Sequence, residues 1–423
     1  MKYAYASTLA ATIVLLALPA NAQTYDTNGV VVQTFAGSGF SGYVDGVGQQ
    51  TMFNYPSKLA ADSSGNLFVL DAGNARIRKI APDGTVSTFA GGGAGNLPGY
   101  GRNVSLEQYL AGTDSGSMIC DRSNTLLLTR TVNSPALLRI RSDGYVTATS
   151  LLDFEQTSGL CVDSGNNIYY SSTSANKIYR CKTNGVVEVF AGSGNMGAAD
   201  GNGIFTSFSS PQSLAADAAD NIYVWDSRNY LIRRINQNRD VVTIAGNNSE
   251  DLDGVGRNAS FVSISAMCMD KSGNVILACG SSVRKMSATT NISTLAGSFS
   301  QTGYANGAGN IARFNVASGV CVSGGTVYVA DSGNYIAGLC NERIRSITNN
   351  PTAQPVLPAN LQLNTYPGLQ IVGTVGRTYQ VQSSLDMTNW TTRATLLLTS
   401  SPYLWIDQIP VSGSKFYRAM LLP

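Results

Sequence analysis

Short apolar runs with alternating polar positions recur along the chain and are separated by tight-turn residues. In FNYPSKLAADSSGNLFVLDAGNARIRKI, residues 53–80, two such runs flank a Ser-Gly-Asn turn, and a third alternates Ile with Arg and Lys. A period of two is typical of β-strands with one buried face, and Gly, Asn and Asp supply the turns between them. The pattern predicts three antiparallel strands in this stretch.

The same order of features occurs six times between residues 53 and 347. Most copies are followed by a further strand that ends in Ala-Gly, such as TFAG at 88–91 and TIAG at 243–246. A landmark carboxylate ends the first strand and is replaced by Ser in the last copy: Asp62, Asp121, Asp163, Asp217, Asp270 and Ser323. Four antiparallel strands make one propeller blade, so we predict an all-β fold with a six-bladed β-propeller over residues 23–350.

The ends of the repeat region predict how the ring closes. After RIRSI at 343–347 the chain runs into Asn349-Asn350-Pro351 with no closing strand, whereas an unattached copy, VVQTFAG at 31–37, precedes the first repeat. We predict that this N-terminal strand completes the sixth blade, so that no sheet edge stays open around the ring.

The repeat is similar to the NHL repeat, a family that forms six-bladed propellers. The shared pattern is LAxDxxGNxYVxDxxNxxIRKI followed by VSTxAG, and the resemblance covers about residues 31–350. The second copy departs from it, because Arg130 stands where the first, fourth and sixth copies end their second strand with Asp.

The two ends of the chain have different compositions from the repeats. Residues 1–22 have an early Lys, an apolar stretch and Ala20-Asn21-Ala22, which together indicate a signal peptide and a mature chain that starts at Gln23. We therefore expect a secreted or periplasmic protein, with attachment to the cell surface left open, and no transmembrane segment after cleavage.

The C-terminal part predicts a second, smaller module. Residues 351–360 form a Pro-rich linker, and residues 361–423 show the alternation of a small β-sandwich. Through YQVQSSLDMTNW and KFYRA, the module resembles the fibronectin-type-III-like modules that end many secreted bacterial proteins. The resemblance implies attachment or surface docking, and a passive cap is the alternative.

Charge and composition exclude several classes of function. Lys and Arg number 28 against 26 Asp and Glu, and no segment concentrates the charge, so we expect no nucleic-acid partner. The chain has no His, which removes the commonest general base and metal ligand, and no nucleophile–base pair is recognisable. These facts argue against an enzyme, assign no catalytic or metal-binding residue, and imply no cofactor except calcium, which stays open.

Cysteine usage points to packing instead of metal binding. No zinc-type spacing occurs, and Cys161, Cys268 and Cys321 occupy one repeat position where the first and fourth copies have Ala. We interpret these three as small core residues. A Cys321–Cys340 disulfide in the last copy is left open.

A candidate ligand site comes from the ends of the second strands, which surround the mouth of the channel in a propeller. We predict a polar ligand site there, formed by Asp71, Arg130, Asp226 and Asp331. In the alternative interpretation each Asp holds its own turn by accepting backbone N–H groups and pairing with the Asn three residues on, which is Asn74, Asn229 or Asn334.

Long loops between the copies predict the function. They are Gly-rich, carry aromatic tips such as Phe40, Tyr43 and Tyr100, and span 38–56, 92–115, 192–211, 247–262 and 298–315. Loops on a rigid scaffold often carry recognition, so we predict a monomeric, exported scaffold that binds a protein or glycan. Two alternatives remain: a structural envelope or matrix protein, and, from enzymes of this propeller class, a calcium-dependent, lactonase-like hydrolase or lyase using the channel-mouth carboxylates.

Overall fold

The computed structural model describes twelve segments of the chain: residues 29–107, 116–130, 136–150, 157–333, 341–349, 360–363, 368–372, 374–384, 386, 388–399, 403–406 and 416–422. The predicted signal peptide and the linker up to residue 359 lie outside these segments. The chain divides into two compact units, one centred on residues 30–350 and the other on residues 351–423. In the described segments, no helix has the length and apolar character to cross a membrane.

Strand β1 (Val30–Gly39) precedes six antiparallel sheets in the first unit. Sheet 1 contains β2 (Gly46–Val47), β3 (Pro56–Ala61), β4 (Leu67–Asp71), β5 (Arg76–Ile80) and β6 (Thr85–Ala90). Sheet 2 contains β7 (Gly99–Tyr100), β8 (Met118–Cys120), β9 (Leu126–Arg130), β10 (Ala136–Ile140) and β11 (Tyr145–Thr149). Sheet 3 contains β12 (Thr157–Val162), β13 (Ile168–Ser172), β14 (Lys177–Cys181) and β15 (Val187–Ala191).

The last three sheets repeat this order. Sheet 4 contains β16 (Gly201–Asn202), β17 (Pro211–Ala216), β18 (Ile222–Asp226), β19 (Leu231–Ile235) and β20 (Asp240–Ala245). Sheet 5 contains β21 (Gly254–Val255), β22 (Ala266–Met269), β23 (Val275–Cys279), β24 (Ser282–Met286) and β25 (Asn291–Gly297). Sheet 6 contains β26 (Gly307–Ala308), β27 (Val316–Ser323), β28 (Thr326–Ser332), β29 (Glu342–Asn349) and β1.

Six 3₁₀ helices of three residues each occur in the described part of the first unit: Gly48–Gln50, Ala72–Asn74, Gly101–Asn103, Gly203–Phe205, Ser227–Asn229 and Gly256–Asn258. Four of them lie in the long loops between sheets, and two lie in turns between the second and third main strands. Nearly all other regular structure in the described segments is β, which confirms the predicted fold class.

The N-terminal strand closes the last sheet as predicted. β1 pairs antiparallel with β29, with Val32 opposite Ile347 and Thr34 opposite Arg345. Val32 and Ile347 are both buried in a cluster that also contains residues of sheet 5. Strand pairing therefore joins the two ends of the repeat region.

The innermost strands of neighbouring sheets approach each other closely, and two glycines make this possible. A Cβ on Gly319 of β27 would lie 2.7 Å from the carbonyl oxygen of Ser57 in β3 of sheet 1. A Cβ on Gly159 of β12 would lie 2.0 Å from the carbonyl oxygen of Gln212 in sheet 4. Both separations are too short for any side chain, so glycine is required at these contacts.

The second unit contains two three-stranded antiparallel sheets, whose strands are β30 (Asn360–Leu363), β31 (Gly368–Val372), β32 (Thr378–Ser384), β33 (Thr391–Leu397), β34 (Tyr403–Ile406) and β35 (Phe416–Leu421). Buried Ile371 of the first sheet packs with Tyr379 and Val381 of the second. Two sheets that share one apolar core form the predicted sandwich. The fibronectin-type resemblance stays a prediction.

Candidate functional site

The landmark carboxylates hold the turns at one end of the innermost strands. Asp62 Oδ1 accepts the backbone N–H groups of Ser64 and Asn66, each at 2.9 Å, and Oδ2 accepts Asn66 Nδ2 at 2.7 Å. Asp217 and Asp270 make the same three contacts in their own turns. These carboxylates stabilise the turns between the first and second main strands.

The carboxylates predicted at the channel mouth are buried inside the sheets. Asp71 has no exposed surface, and its Oδ1 accepts Asn54 N–H at 2.7 Å. Its Oδ2 accepts Asn74 Nδ2 at 2.8 Å and Arg78 Nη1 at 2.9 Å. Protein donors therefore contact both oxygens of this carboxylate.

Asp226 and Asp331 repeat this arrangement. Asp226 accepts Ser209 N–H at 2.7 Å, Asn229 Nδ2 at 2.7 Å and Arg233 Nη1 at 3.0 Å. For Asp331 the donors are Asn315 N–H at 2.8 Å, Asn341 Nδ2 at 2.5 Å and Arg345 Nη1 at 2.8 Å. The contacts to Asn74 and Asn229 are those of the turn-holding alternative, whereas Asn334 lies outside the described residues.

Each of these arginines also reaches into the loop that precedes its sheet. The second guanidinium nitrogen, Nη2, donates to a loop side chain: Arg78 to Asp45 at 2.6 Å, Arg233 to Asp200 at 2.7 Å, and Arg345 to Asn306 at 2.8 Å. The same nitrogens bind the loop carbonyl oxygens of Val44, Ala199 and Ala305. We call each set of buried Arg, strand-end Asp and loop Asp or Asn an arginine clamp.

A Phe ring completes each clamp. The guanidinium carbons of Arg78, Arg233 and Arg345 lie 5.1–5.2 Å from the ring centres of Phe53, Phe208 and Phe314, respectively. Burial raises the pKa of Asp226 to about 6 and that of Asp331 to about 7, and the neighbouring arginine charge opposes both shifts. The clamp fixes the loop to its sheet through charge-assisted hydrogen bonds.

The other three sheets each lack at least one clamp member. In sheet 5, Cys279 takes the place of the strand-end Asp, and Arg284 pairs with Asp253 at 2.9 Å, both side chains being fully buried. Sheet 3 has Ser172 and Tyr179 at the Asp and Arg positions. In sheet 2 the same positions hold Arg130 and Leu138, and only the backbone of Arg130 is described.

The predicted set of Asp71, Arg130, Asp226 and Asp331 is therefore distributed over four sheets. The three carboxylates are engaged in clamps, and none of them lines the central cavity. The clamp arginines were not identified as site residues from the sequence. The signal that reveals them is that Arg and the strand-end Asp occur together in the first, fourth and sixth copies and are both lost in the second and third.

The first half of each clamped loop forms one surface with the turns between the second and third main strands. This surface includes residues 38–45, 192–200 and 298–306, and we call it the loop face. Asn74 Nδ2 binds Gly42 O at 2.9 Å, and Asn229 Nδ2 binds Gly197 O at 2.8 Å, so loop and turn are joined in both sheets. The side chain of Phe40 is 71% exposed on this face and that of Met196 is 68% exposed.

Two tyrosines of the loop face stack against guanidinium groups. Arg76 Cζ lies 4.2 Å from the ring centre of Tyr43, and Arg343 Cζ lies 4.0 Å from that of Tyr304. The Tyr43 hydroxyl makes a 2.8 Å hydrogen bond with Thr88 Oγ1. These half-exposed rings are thus held in fixed orientations beside positive charge.

A central cavity of about 170 Å³ is lined by the innermost strand of every sheet, β3, β8, β12, β17, β22 and β27. This is the arrangement of blades around a propeller axis. Its polar side chains include Lys58, Ser117, Ser158 and Ser213. Lys58 Nζ crosses the channel to the carbonyl oxygen of Ser265 in sheet 5, at 3.4 Å.

Three thiols also line the cavity: Cys120, Cys268 and Cys321. Burial raises the pKa of Cys120 to about 12, and it raises the pKa of the other two thiols as well. Cys321 is a free thiol, so the Cys321–Cys340 disulfide is not formed, and Cys340 lies outside the described residues. In the described part of the chain, no three Cys, Asp or Glu side chains are placed to hold a metal ion.

Comparison with known proteins supports the repeat and the fold. Residues 53–80 match the NHL repeat model. A structural genomics protein of unknown function from Bacteroides thetaiotaomicron superposes with a TM-score of 0.58 at 17% identity, over 75% of this chain and 76% of that chain.

An auxiliary nutrient binding protein from Bacteroides ovatus superposes with a TM-score of 0.56 at 14% identity, over 77% of each chain. A second auxiliary nutrient binding protein, from B. thetaiotaomicron, gives 0.56 at 16% identity, over 75% of this chain and 76% of that one. These likenesses concern the fold alone. Among curated proteins, none matches the sequence.

Proposed function

We propose that this chain is an exported binding protein whose loop face recognises a protein or glycan partner. The observation that carries the proposal is the arginine clamp. It fixes the loops before sheets 1, 4 and 6 to the sheets themselves, through Arg78, Arg233 and Arg345. The fold shared with two auxiliary nutrient binding proteins is compatible with this role.

Fixed loops favour binding because their conformational entropy is already lost before the partner arrives. Arg78 alone makes hydrogen bonds to Met52, Val44 and Asp45, which lie in both limbs of one loop segment. The exposed side chains of that loop are therefore presented on a preorganised support.

The groups presented on the loop face suit macromolecular contact. Phe40 and Met196 offer exposed apolar surface, while Tyr43 and Tyr304 offer flat rings next to the guanidinium groups of Arg76 and Arg343. Aromatic rings and arginines contribute strongly to recognition interfaces, and rings also pack against sugars.

Two single variants of the full chain, Phe40→Ser and Met196→Ser, test the proposal. Val186→Ser is the matched control, because Val186 is 50% exposed in the turn before β15, at the opposite end of that strand from the loop 192–211. Binding is measured on a glycan array and on proteins from the cell exterior. We expect the loop-face variants to lose at least tenfold in affinity and Val186→Ser to retain it.

The proposal would be overturned if the wild-type chain binds no glycan or protein. It would also be overturned if the loop-face variants bind as well as Val186→Ser does. A structural envelope or matrix role is the alternative that such a result would favour. The calcium-dependent hydrolase has no observation in its favour, because Asp71, Asp226 and Asp331, which it would use, are held by clamp donors.

A further inference from the structure

We propose that the loop face binds an acidic glycan, a polysaccharide whose sugar units carry carboxylate groups, along a row of four side chains in sheets 6 and 1. We call this row, which consists of Tyr304, Arg343, Tyr43 and Arg76, the Tyr–Arg stripe. The inference rests on the proposed function, because it assigns a class of partner to the same face.

The same Tyr–Arg pair occurs in two neighbouring sheets. Arg76 begins the third main strand of sheet 1, and its Cζ lies 4.2 Å from the ring centre of Tyr43 in the loop before that sheet. Arg343 has the matching position in sheet 6, and its Cζ lies 4.0 Å from the ring centre of Tyr304. Each arginine is the cross-strand partner of its strand-end Asp, so both pairs lie at the end of the sheets that carries the loops.

Contacts between the two sheets make the stripe continuous. Glu342, which precedes Arg343 in β29, accepts Tyr55 N–H from the loop before sheet 1 at 2.7 Å. A Cβ on Gly39 would lie 2.0 Å from Arg343 Nη2, so this guanidinium group packs directly on the start of the loop that carries Tyr43. A ligand that contacts the pair in sheet 6 therefore meets the pair in sheet 1 next along the face.

Each tyrosine is anchored through its hydroxyl and keeps ring surface exposed. The Tyr43 hydroxyl makes its hydrogen bond with Thr88 Oγ1, and the Tyr304 hydroxyl makes one of 3.0 Å with Thr34 Oγ1. Both tyrosines are 44% exposed. Because the hydroxyls are engaged and a guanidinium group lies beside each ring, the surface left to a ligand is mainly the apolar ring, which packs against the C–H groups of a sugar.

The two arginines of the stripe have neutral hydrogen-bond acceptors among the described residues. Arg76 Nη1 donates to Asn74 O at 2.7 Å. Arg343 donates to Ser38 O at 2.8 Å and to the side-chain oxygen of Asn341. The clamp arginines, in contrast, are each paired with a buried strand-end Asp. A guanidinium group has five N–H donors, so both stripe arginines keep donors for a ligand carboxylate.

The repetition of the pair favours a polymer with a repeating unit. An acidic sugar combines an apolar ring face with a carboxylate in each unit, and each Tyr–Arg pair offers a ring and a guanidinium group to match them. An acidic peptide supplies the carboxylates without the ring faces.

The rest of the loop face argues against a nucleic acid. At the position of the stripe tyrosines, sheet 4 has Ala198 and sheet 5 has Asp251, and at the arginine position these sheets have Leu231 and Ser282. The pair is therefore confined to two sheets, and a carboxylate replaces the tyrosine in sheet 5, which adjoins sheet 6. Binding of a nucleic acid depends on neutralising many successive phosphates, which so short a stripe does not provide.

The test titrates the full chain by calorimetry with three acidic polysaccharides: polygalacturonate, alginate and hyaluronan. The methyl ester of polygalacturonate keeps the sugar rings and lacks the charge. Polyglutamate and a single-stranded DNA oligonucleotide carry negative charge on other polymers.

The repeats supply the variants. Arg76→Leu and Tyr43→Ala each install the residue that sheet 4 has at that position. Lys79→Leu is the matched control, because it removes the same charge from the same strand three residues on, where the side chain points to the other face of the sheet. Arg343→Leu repeats the test in sheet 6, and a melting curve checks that each variant is folded.

We expect at least one acidic polysaccharide to bind the wild type, and the ester, polyglutamate and the oligonucleotide to bind at least tenfold more weakly. Affinity for the acidic polysaccharide should fall at least fivefold in the three stripe variants and stay unchanged in Lys79→Leu. The inference is overturned if no acidic polysaccharide binds, or if the ester, polyglutamate or the oligonucleotide binds as tightly. It is also overturned if the folded stripe variants bind as Lys79→Leu does.

These outcomes are separate from the test of the proposed function. Suppose that a protein or a neutral glycan binds the wild type, binds Phe40→Ser more weakly and binds Arg76→Leu with full affinity. That result would keep the loop face as the binding surface and overturn the acidic glycan.

Discussion

Asp226 and Arg233 form an ion pair with no exposed side-chain surface, in which Arg233 Nη1 lies 3.0 Å from Asp226 Oδ2. The pair joins the end of β18 to the middle of β19, and the other guanidinium nitrogen continues to Asp200 in the preceding loop. The same connection occurs in sheets 1 and 6, so one arrangement fixes a loop in three sheets.

We predict that Asp226→Ala destabilises the protein by about 3–5 kcal/mol, because it leaves the Arg233 charge buried with one of its two carboxylate partners missing. Urea unfolding measures this loss. A loss below about 1 kcal/mol would show that Asp200 alone neutralises the guanidinium group.

Sheet 3 supplies the control for this prediction. Ser172 and Tyr179 occupy the positions of Asp226 and Arg233 and form a stable sheet without either charge. We expect the double variant Asp226→Ser, Arg233→Tyr to be more stable than Arg233→Tyr alone, because the single change leaves a buried carboxylate unpaired. Additive losses in the double variant would contradict this coupling.

The repeat pattern explains why the fold was predictable from the sequence. Strand order, the turns at Asp62 and its counterparts, and the pairing of residues 31–37 with residues 343–347 follow from local alternation and from counting copies. Each of these features depends on residues close in sequence or on a missing copy, and both are visible in the sequence.

The candidate site was less predictable, because it depends on contacts between distant segments. Asp71 lies at its predicted strand end, but it is buried there together with its hydrogen-bond partners Asn54 and Arg78. The hydrogen bond from Arg78 to Asp45 joins residues that are 33 positions apart. Asp45 and Asp200 are each followed by Gly, a pair typical of turns, and nothing in that pair distinguishes a turn former from a clamp member.

Removal of the N-terminal strand tests ring closure. A chain that lacks residues 1–36 loses most of β1, including buried Val30, Val32 and Ala36, and exposes the edge of β29. Burial of a valine side chain contributes roughly 1.5–3 kcal/mol, so we expect a loss of several kcal/mol and a lower melting temperature. A synthetic peptide of residues 29–39 should restore part of the melting temperature by adding the strand back. An unchanged melting temperature of the truncated chain would contradict closure by β1.

Glu342 makes a pH-dependent contribution to stability. Its carboxylate is buried, accepts Tyr55 N–H at 2.7 Å and lies near the charge of Asp71. Burial raises the pKa of Glu342 above its ordinary 4.5, backbone hydrogen bonds from Tyr55 and Gly333 oppose the rise, and Asp71 adds to it. The folded protein therefore holds this proton more tightly than the unfolded chain, and stability falls as pH rises from 4.5 through the raised pKa.

Glu342→Gln removes the titration and isolates its effect. We predict that the unfolding free energy of the variant, minus that of the wild type, increases as pH rises from about 4 to about 8, because only the wild type must ionise a buried carboxyl group. A cost of the side-chain amide in the Glu342→Gln variant that does not depend on pH changes the difference in unfolding free energy by the same amount at both pH values. Urea unfolding at several pH values measures the difference, and a flat difference would contradict the raised pKa.

The alkylation rates of two buried thiols test the ionisation of one and the accessibility of the other. Cys120 lines the cavity, whereas Cys279 is fully buried in sheet 5, and burial raises the pKa of both to about 12. At pH 8 roughly one thiol in 10⁴ is ionised when its pKa is about 12, whereas about a quarter of ordinary thiols with a pKa of about 8.5 are ionised. We therefore expect iodoacetamide to alkylate Cys120 about 10³-fold more slowly in the native protein than in urea.

The pH dependence of this labelling gives a second test. The thiolate fraction of Cys120 grows about tenfold per pH unit up to about pH 11, so its native labelling rate, followed by mass spectrometry, should rise steadily with no plateau near pH 9. Cys279 should stay unlabelled over the same range, because access and not ionisation limits it. A plateau for Cys120 near pH 9 would mean that its thiol is hydrated like an exposed one and that the cavity wall is far more polar than the structure indicates.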